Sequence, residues 1–136
     1  MKKLIAFALL ISITSLISCK KEKIKGCTTS YATNYNSTAE DDDGSCQYEG
    51  SMVFWQKTPQ LGSIDIYIDG VFAGNSNVAF SSAPACGNGA ALTVKKNIGY
   101  NKSKSYKLTA SVDGGSIFDA GTVTFEANTC TSLQLN

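Results

Sequence analysis

The 136-residue sequence contains no histidine and no arginine. Without histidine, a Ser-His-Asp triad, a Cys-His pair and a His-ligated zinc site are all excluded. A formal net charge of +1 with no arginine gives no electrostatic basis for binding nucleic acid. A glycosidase-type carboxylate pair remains formally available, but its candidates are scattered over predicted turns and polar strand faces: Asp65, Asp69, Asp113, Asp119 and Glu126. We therefore expect a protein that is not an enzyme and binds no nucleic acid.

The sequence also lacks a hydrophobic segment long enough to cross a membrane. Its N-terminal apolar run extends from Leu4 to Ile11, after Lys2 and Lys3. A membrane-spanning helix needs roughly 20 apolar residues, so this run is too short. A basic start followed by a brief apolar run is typical of a secretory signal peptide. We therefore predict that the protein is exported.

The signal-like segment ends in Leu16-Ile17-Ser18-Cys19, which resembles the lipobox of bacterial lipoproteins. The resemblance implies that residues 1–18 are removed and that Cys19 carries a diacylglycerol and a fatty acyl group (palmitate). Apart from the calcium ion considered below, we expect no cofactor. Residues 19–25 then form a lysine-rich tether, which acts as a solvated spacer or attracts anionic headgroups. Because Glu22 is the only acid in this tether, we expect an outer-membrane anchor on the periplasmic face rather than at the cell surface.

Four cysteines remain once Cys19 is assigned to the lipid: Cys27, Cys46, Cys86 and Cys130. An even number in an exported chain predicts disulfide bonds, and four cysteines allow three pairings. Closeness in the sequence favours Cys27–Cys46 and Cys86–Cys130. The alternative is a metal site made of cysteines alone, but no Cys-x-x-Cys spacing occurs.

Residues 26–48 form a distinct acidic segment rich in turn-forming residues. They read Gly-Cys, then Asn-Tyr-Asn, then Asp-Asp-Gly-Ser-Cys-x-Tyr, which resembles a short motif of exported and lipid-anchored proteins of Gram-negative bacteria. The segment departs from that motif at Thr28-Thr29-Ser30, where Asp-Pro usually follows the first cysteine. The resemblance implies no catalytic role. Since the segment has few large apolar residues, we expect a disulfide to hold it together.

Oxygen-bearing side chains alternate in this module as they do in calcium loops: Asn34, Asn36, Asp41 and Asp43. The match to an EF-hand fails at both ends of the loop. Aligning Asp41 and Asp43 with its third and fifth positions places Ala39 at the first ligand position and Gly50 at the twelfth. Two interpretations stay open, a calcium site and an acidic turn that keeps the loop soluble.

From residue 51 onward, apolar and polar side chains alternate with period two, as in strands that bury one face. The clearest case is the alternation of Ile64, Ile66 and Ile68 with polar or tyrosine neighbours. Strands are predicted over residues 51–57, 63–69, 71–73, 77–80, 91–96, 105–113, 121–126 and 131–135. No stretch beyond the signal peptide keeps a helical period, so the sequence predicts a β protein.

The pair Asp69-Gly70 predicts a two-residue hairpin, because glycine accepts the positive φ of a type I′ turn. The surrounding run from Ser63 to Gly74 resembles the hairpin of PEGA-type and carboxypeptidase-regulatory-like domains. That resemblance implies a small Ig-like sandwich. It does not extend to residues 81–90, an insertion that carries Cys86.

Two groups of side chains are candidates for binding a partner. Five lysines crowd a predicted hairpin around Gly99-Tyr100: Lys95, Lys96, Lys102, Lys104 and Lys107. Two interpretations stay open. The lysines form a basic tip that binds an acidic partner, or they are solvated side chains that discourage edge-to-edge pairing of strands.

Three aromatic residues are the second group, and they offer ring area for a sugar: Trp55, Tyr67 and Tyr100. Phe54 and Trp55 are consecutive in a strand, so they point to opposite faces and one of them must be core. Packing in the core is therefore the alternative to a sugar-binding face.

The sequence thus predicts an all-β fold, a small Ig-like antiparallel β-sandwich preceded by a disulfide-closed irregular module. Four segments are expected: the signal peptide 1–18, the lipidated tether 19–25, the Cys-bounded module 26–48 and the sandwich 51–136. We expect a non-enzymatic, lipid-anchored domain of the cell envelope that serves adhesion or scaffolding. Its expected partners are the membrane, through the anchor, and an envelope protein or glycan. The alternative is a carbohydrate-binding accessory module that uses exposed aromatics.

Overall fold

The computed structural model describes residues 21–58 and 62–136, and within these ranges the regular secondary structure is entirely β. The signal peptide and Cys19 lie outside the described residues. None of the described residues belongs to a helix that is long and apolar enough to span a membrane. Nine strands follow one another along this part of the chain: β1 (Lys25–Gly26), β2 (Asp41–Asp42), β3 (Tyr48–Gln56), β4 (Ile64–Ile68), β5 (Val71–Ser76), β6 (Leu92–Gly99), β7 (Ser103–Val112), β8 (Phe118–Glu126) and β9 (Cys130–Leu135).

Seven of these strands form two sheets that share one hydrophobic core. The three-stranded sheet has the order β6-β3-β9, and the four-stranded sheet has the order β5-β4-β7-β8. All neighbours pair antiparallel except β3 and β9, which run parallel. The predicted all-β sandwich with a disulfide-closed module is therefore confirmed, with one parallel pair added to the antiparallel pattern.

The core follows from the period-two alternation seen in the sequence. On β4, Ile64, Ile66 and Ile68 all point inward and are buried. They belong to the same apolar cluster as Phe54 of the three-stranded sheet and Phe125 of β8, both fully buried. Each large apolar side chain buried in this way contributes about 1.5–3 kcal/mol to folding.

The turn between β4 and β5 has the geometry that its two residues predict. Asp69 and Gly70 have φ values of 51° and 75°, which are the two positive angles of a type I′ turn. The Asp69 side chain also fixes the turn to β7, the strand beside β4 in the sheet, because its Oδ1 accepts a hydrogen bond from the Lys107 amide at 2.8 Å. The hairpin prediction is confirmed.

Two predictions about the middle of the chain are wrong. Residues 77–80 form no strand; Ala79 makes only an isolated bridge to Gln56, after which Pro84 lies in a stretch of bends and turns. The lysine-rich segment is not a hairpin either, since β6 and β7 belong to different sheets. Gly99, with a φ of 64°, ends β6 and allows the chain to turn toward the other sheet.

Two apolar side chains are also buried on the outer face of the three-stranded sheet. Phe54 points into the core, so Val53 and Trp55 point outward, yet they are only 0% and 7% exposed. The insertion after β5 runs along this sheet: the Gly87 amide donates to Thr93 Oγ1 at 3.1 Å on β6. The Cys86–Cys130 disulfide joins the insertion to β9. We attribute the burial of Val53 and Trp55 to this covering segment.

The Cys-bounded module packs directly on the sandwich. The Cys27–Cys46 disulfide, with Cα atoms 4.7 Å apart, is buried together with Ala32 in the same apolar cluster as Tyr48 at the start of β3. The two observed disulfides, Cys27–Cys46 and Cys86–Cys130, are the pairings that closeness in the sequence favours. The module and the sandwich therefore share one core.

Candidate functional site

Asn34 and Asn36, two of the four predicted calcium ligands, stabilise the module itself. Asn34 Oδ1 accepts a hydrogen bond from the Gln47 amide at 2.7 Å, and its Nδ2 donates to the Ser45 carbonyl at 2.7 Å. Asn36 Oδ1 accepts from both the amide and the hydroxyl of Thr38. Asn34 thus joins two distant parts of the module, whereas Asn36 stabilises a local turn, as asparagine commonly does.

Asp41 and Asp43 also have partners inside the protein. Lys23 Nζ lies 3.2 Å from Asp41 Oδ1. Asp43 Oδ1 accepts from the Ser45 amide at 2.9 Å, and hydrogen bonds from the Ser45 side chain and backbone lower the pKa of Asp43. Across residues 21–58 and 62–136, no group of three or more His, Cys, Asp or Glu residues is placed to hold a metal ion. Calcium binding through the asparagine-containing set stays a prediction.

Four of the five clustered lysines interact with side chains of the protein. Lys95 Nζ lies 3.7 Å from Glu49 Oε1, and Lys107 Nζ lies 3.2 Å from Asp119 Oδ2. Lys96 Nζ and Lys104 Nζ lie 5.0 and 5.2 Å from the centroid of the buried Tyr106 ring. Both distances are within the range of cation–π interactions. The lysines therefore do not form one basic tip.

The three predicted aromatic residues do not share a surface. Trp55 is buried on the outer face of the three-stranded sheet, with only 7% of its surface exposed. Tyr67 lies in the four-stranded sheet, with its ring edge-to-face against Phe72 at 5.5 Å. Tyr100 is 69% exposed in the connection between the two sheets. The hypothesis that these three rings form one continuous sugar-binding platform is wrong.

The structure contains a polar groove that the sequence does not reveal. We call it the junction groove, because it lies between the Cys-bounded module and the outer face of the three-stranded sheet. It has a volume of about 280 Å³. Its lining includes Tyr31, Thr33, Glu49, Ser51, Lys95 and Asn128.

Strand geometry places the sheet residues of the groove. Met52 and Phe54 of β3 point into the core, so Ser51 and Glu49 point outward. Lys95 is the neighbour of Ser51 in the antiparallel register and shares this outer face. The signal in the sequence was the polar spacing of Glu49 and Ser51, but the predicted strand began at residue 51 and left Glu49 out.

Two further contacts fix the other walls of the groove. The Tyr31 ring, 42% exposed, packs against the buried Tyr48 ring with centroids 5.7 Å apart. Asn128 has a φ of 52°, and its amide donates to the Glu49 carbonyl at 2.8 Å. Asparagine adopts this left-handed conformation more readily than most residues. The turn therefore holds Asn128 beside Glu49.

Comparisons with protein-family models, curated proteins and solved structures find no match to this chain. The resemblances to the lipobox, to the Cys-bounded motif and to PEGA-type domains therefore remain predictions from the sequence.

Proposed function

We propose that this protein is a non-enzymatic lipoprotein of the outer membrane, held on the periplasmic face, whose β domain serves adhesion or scaffolding. The observation that carries the proposal is the sequence Leu16-Ile17-Ser18-Cys19 directly after a signal-like segment. The two disulfides support it, because such bonds form and persist in oxidising compartments outside the cytosol.

The start of the described chain supports a domain held close to its anchor. Lys21 and Lys23 pair with Glu40 and Asp41 at 3.8 and 3.2 Å, and Lys25 lies in β1 beside β2. The backbone is fixed to the module at Ile24, whose carbonyl accepts hydrogen bonds from the amides of Glu40 and Asp41 at 2.7 and 3.2 Å. The five residue steps from position 19 to position 24 span at most about 18 Å. A lipid on Cys19 would therefore keep the module next to the bilayer surface.

The carbohydrate-binding alternative gains support from the junction groove, but it can no longer rest on the three aromatic rings considered first. Trp55, the largest of the three rings first considered, is only 7% exposed and so offers no ring face to a sugar. The groove instead offers the exposed Tyr31 ring beside polar side chains. Sugar binding therefore remains the second candidate, at a different place on the molecule.

The substitution Cys19→Ala tests the anchor. We expect the variant to lose lipidation and membrane retention, while the β domain keeps both disulfides. Membrane fractions are washed with high salt and probed for the protein, and non-reducing peptide mapping checks the folded domain. A variant that still partitions with the washed membranes would show that the lipid is not the anchor.

A further inference from the structure

We propose that the junction groove binds one uncharged sugar unit of an envelope glycan, which would give the adhesion role a ligand and therefore rests on the proposed function. The groove volume, about 280 Å³, lies just below the roughly 300–1,000 Å³ range of sites for drug-sized ligands. Its size suits a single ring with its substituents rather than a long oligosaccharide.

Charge balance in the groove favours a neutral ligand. The Glu49 carboxylate and the Lys95 ammonium lie 3.7 Å apart, and both side chains are exposed to solvent. An anionic ligand would meet Glu49, and a cationic ligand would meet Lys95, so neither sign of charge gains a net advantage. An uncharged ligand with several hydroxyl groups avoids both repulsions and can hydrogen-bond to each partner.

The lining combines one apolar face with donors and acceptors. The Tyr31 ring supplies the apolar face, on which the C–H groups of a pyranose can pack. The Asn128 carboxamide and the Ser51 hydroxyl can donate and accept. Thr33 Oγ1 donates to the Gln47 carbonyl at 3.1 Å and retains its acceptor lone pairs. A sugar presents this same mixture of C–H and hydroxyl groups.

The walls of the groove are held in place before any ligand arrives. The Cys27–Cys46 disulfide closes the module that carries Tyr31, and Cys130 of the second disulfide lies in the lining. The Ser51 amide donates to the Thr129 carbonyl at 2.9 Å, which fixes the turn to β3. A preformed site loses less conformational entropy on binding, so even a small contact area can give measurable affinity.

The test uses the intact lipoprotein in detergent micelles. An array of neutral and acidic glycans identifies a ligand, and calorimetric titration with the methyl glycoside of its terminal sugar gives the affinity. We expect binding to a neutral glycan. Tyr31→Ala and Asn128→Gly should each weaken it by about tenfold or more, because each removes a packing or hydrogen-bonding partner. Tyr35→Ala is the matched control, since Tyr35 is a module tyrosine with 46% exposure outside the groove lining.

Asn128→Gly keeps the test independent of folding, because glycine accepts the φ of 52° at this position without strain. The thermal midpoint of each variant is measured alongside its affinity. Absence of binding to every neutral glycan, binding only to acidic glycans, or equal affinity in the Asn128→Gly variant would overturn the proposal. None of these results bears on the anchor, which the Cys19→Ala fractionation tests separately.

Discussion

Gln56 shows how one buried polar side chain can fix a connection between strands. It ends β3, is fully buried, and its Nε2 donates to the carbonyls of Gly62 and Ser76 at 3.0 Å each. Those two carbonyls lie before β4 and at the end of β5. One amide group therefore ties the end of β3 in one sheet to the paired ends of β4 and β5 in the other sheet.

We expect Gln56→Met to destabilise the domain by about 1–3 kcal/mol, because methionine keeps the volume but leaves two carbonyl groups without their donor. Chemical denaturation measures the loss. Gln134→Met is the matched control: Gln134 is exposed on β9, and its change should stay within about 0.5 kcal/mol. Equal stability of the two variants would show that the Gln56 hydrogen bonds contribute nothing net.

Asp43 provides a prediction about pH. Its pKa is lowered, first by the hydrogen bond from the Ser45 side chain and then by the bond from the Ser45 backbone. Because the folded-state pKa lies below the unfolded one, the stabilisation is present above the unfolded pKa and is lost as the pH falls through the folded pKa. For an aspartate this window lies below about pH 4.

Ser45→Ala should therefore raise the pKa of Asp43 part of the way to its ordinary value, since the bond from the residue 45 amide remains. An NMR titration of the Asp43 carboxyl in the parent and the variant measures the change. Asp119 is the internal reference, because its lowered pKa is caused by Gly121 and Lys107 instead. A pKa of Asp43 that stays the same in the variant would contradict the assigned cause.

Among the elements, the insertion after β5 has the clearest energetic role. The Cys86–Cys130 bond closes a separation of 44 residues and holds the insertion against the outer face of the three-stranded sheet. Trp55, the single tryptophan of the chain, is buried on this same outer face, and we attribute its burial to the insertion. Its fluorescence is therefore a native reporter of whether the insertion stays in place.

Replacing Cys86 and Cys130 by serine should destabilise the domain by about 4 kcal/mol on the loop-entropy model. It should also shift the Trp55 emission to longer wavelength and increase its quenching by acrylamide, because water reaches the ring. The Cys27→Ser/Cys46→Ser variant is the control, since that bond lies in the module and its loss should leave Trp55 shielded. Unchanged emission in the first variant would mean that the insertion does not cover the ring.

Local signals predicted most of the strands, whereas the pairing of strands that are distant in sequence was not predictable. The alternation of Ile64, Ile66 and Ile68 and the pair Asp69-Gly70 fix β4 and its turn through neighbouring residues alone. The separation of β6 and β7 into different sheets depends on distant pairing with β3 and β4. The residues near the lysine-rich segment do not specify this pairing. The sequence therefore predicts a hairpin there, although β6 and β7 belong to different sheets.

The residues of the candidate site were even harder to predict from the sequence than the strand pairing. The junction groove joins Tyr31, Glu49, Lys95 and Asn128, which come from four separate parts of the chain. None of these residues stands in a recognisable motif. The orientation of Trp55 was undecidable too, because either of two consecutive aromatic residues could face the core. In the structure Phe54 faces the core and Trp55 is buried on the opposite face, a burial that we attribute to the insertion, whose path the sequence does not predict.

At the scale of the whole molecule, the sandwich and the module act as one body beside the proposed anchor. Cys27, Ala32 and Cys46 share a cluster with Tyr48 and with the sandwich core. The lysines at the start of the described chain pair with acids of the module. A lipid at Cys19 would therefore hold the module near the bilayer, and the junction groove would lie beside that module.

Mass spectrometry of the N-terminal peptide from the exported protein tests the central claim most directly. The account predicts a chain that begins at Cys19, without residues 1–18, and that carries the mass of a diacylglycerol and a fatty acyl group. Alkaline hydrolysis should remove the ester-linked acyl chains and leave the amide-linked one. An N-terminal peptide that starts at another residue, or a Cys19 peptide with no added lipid mass, would contradict the account.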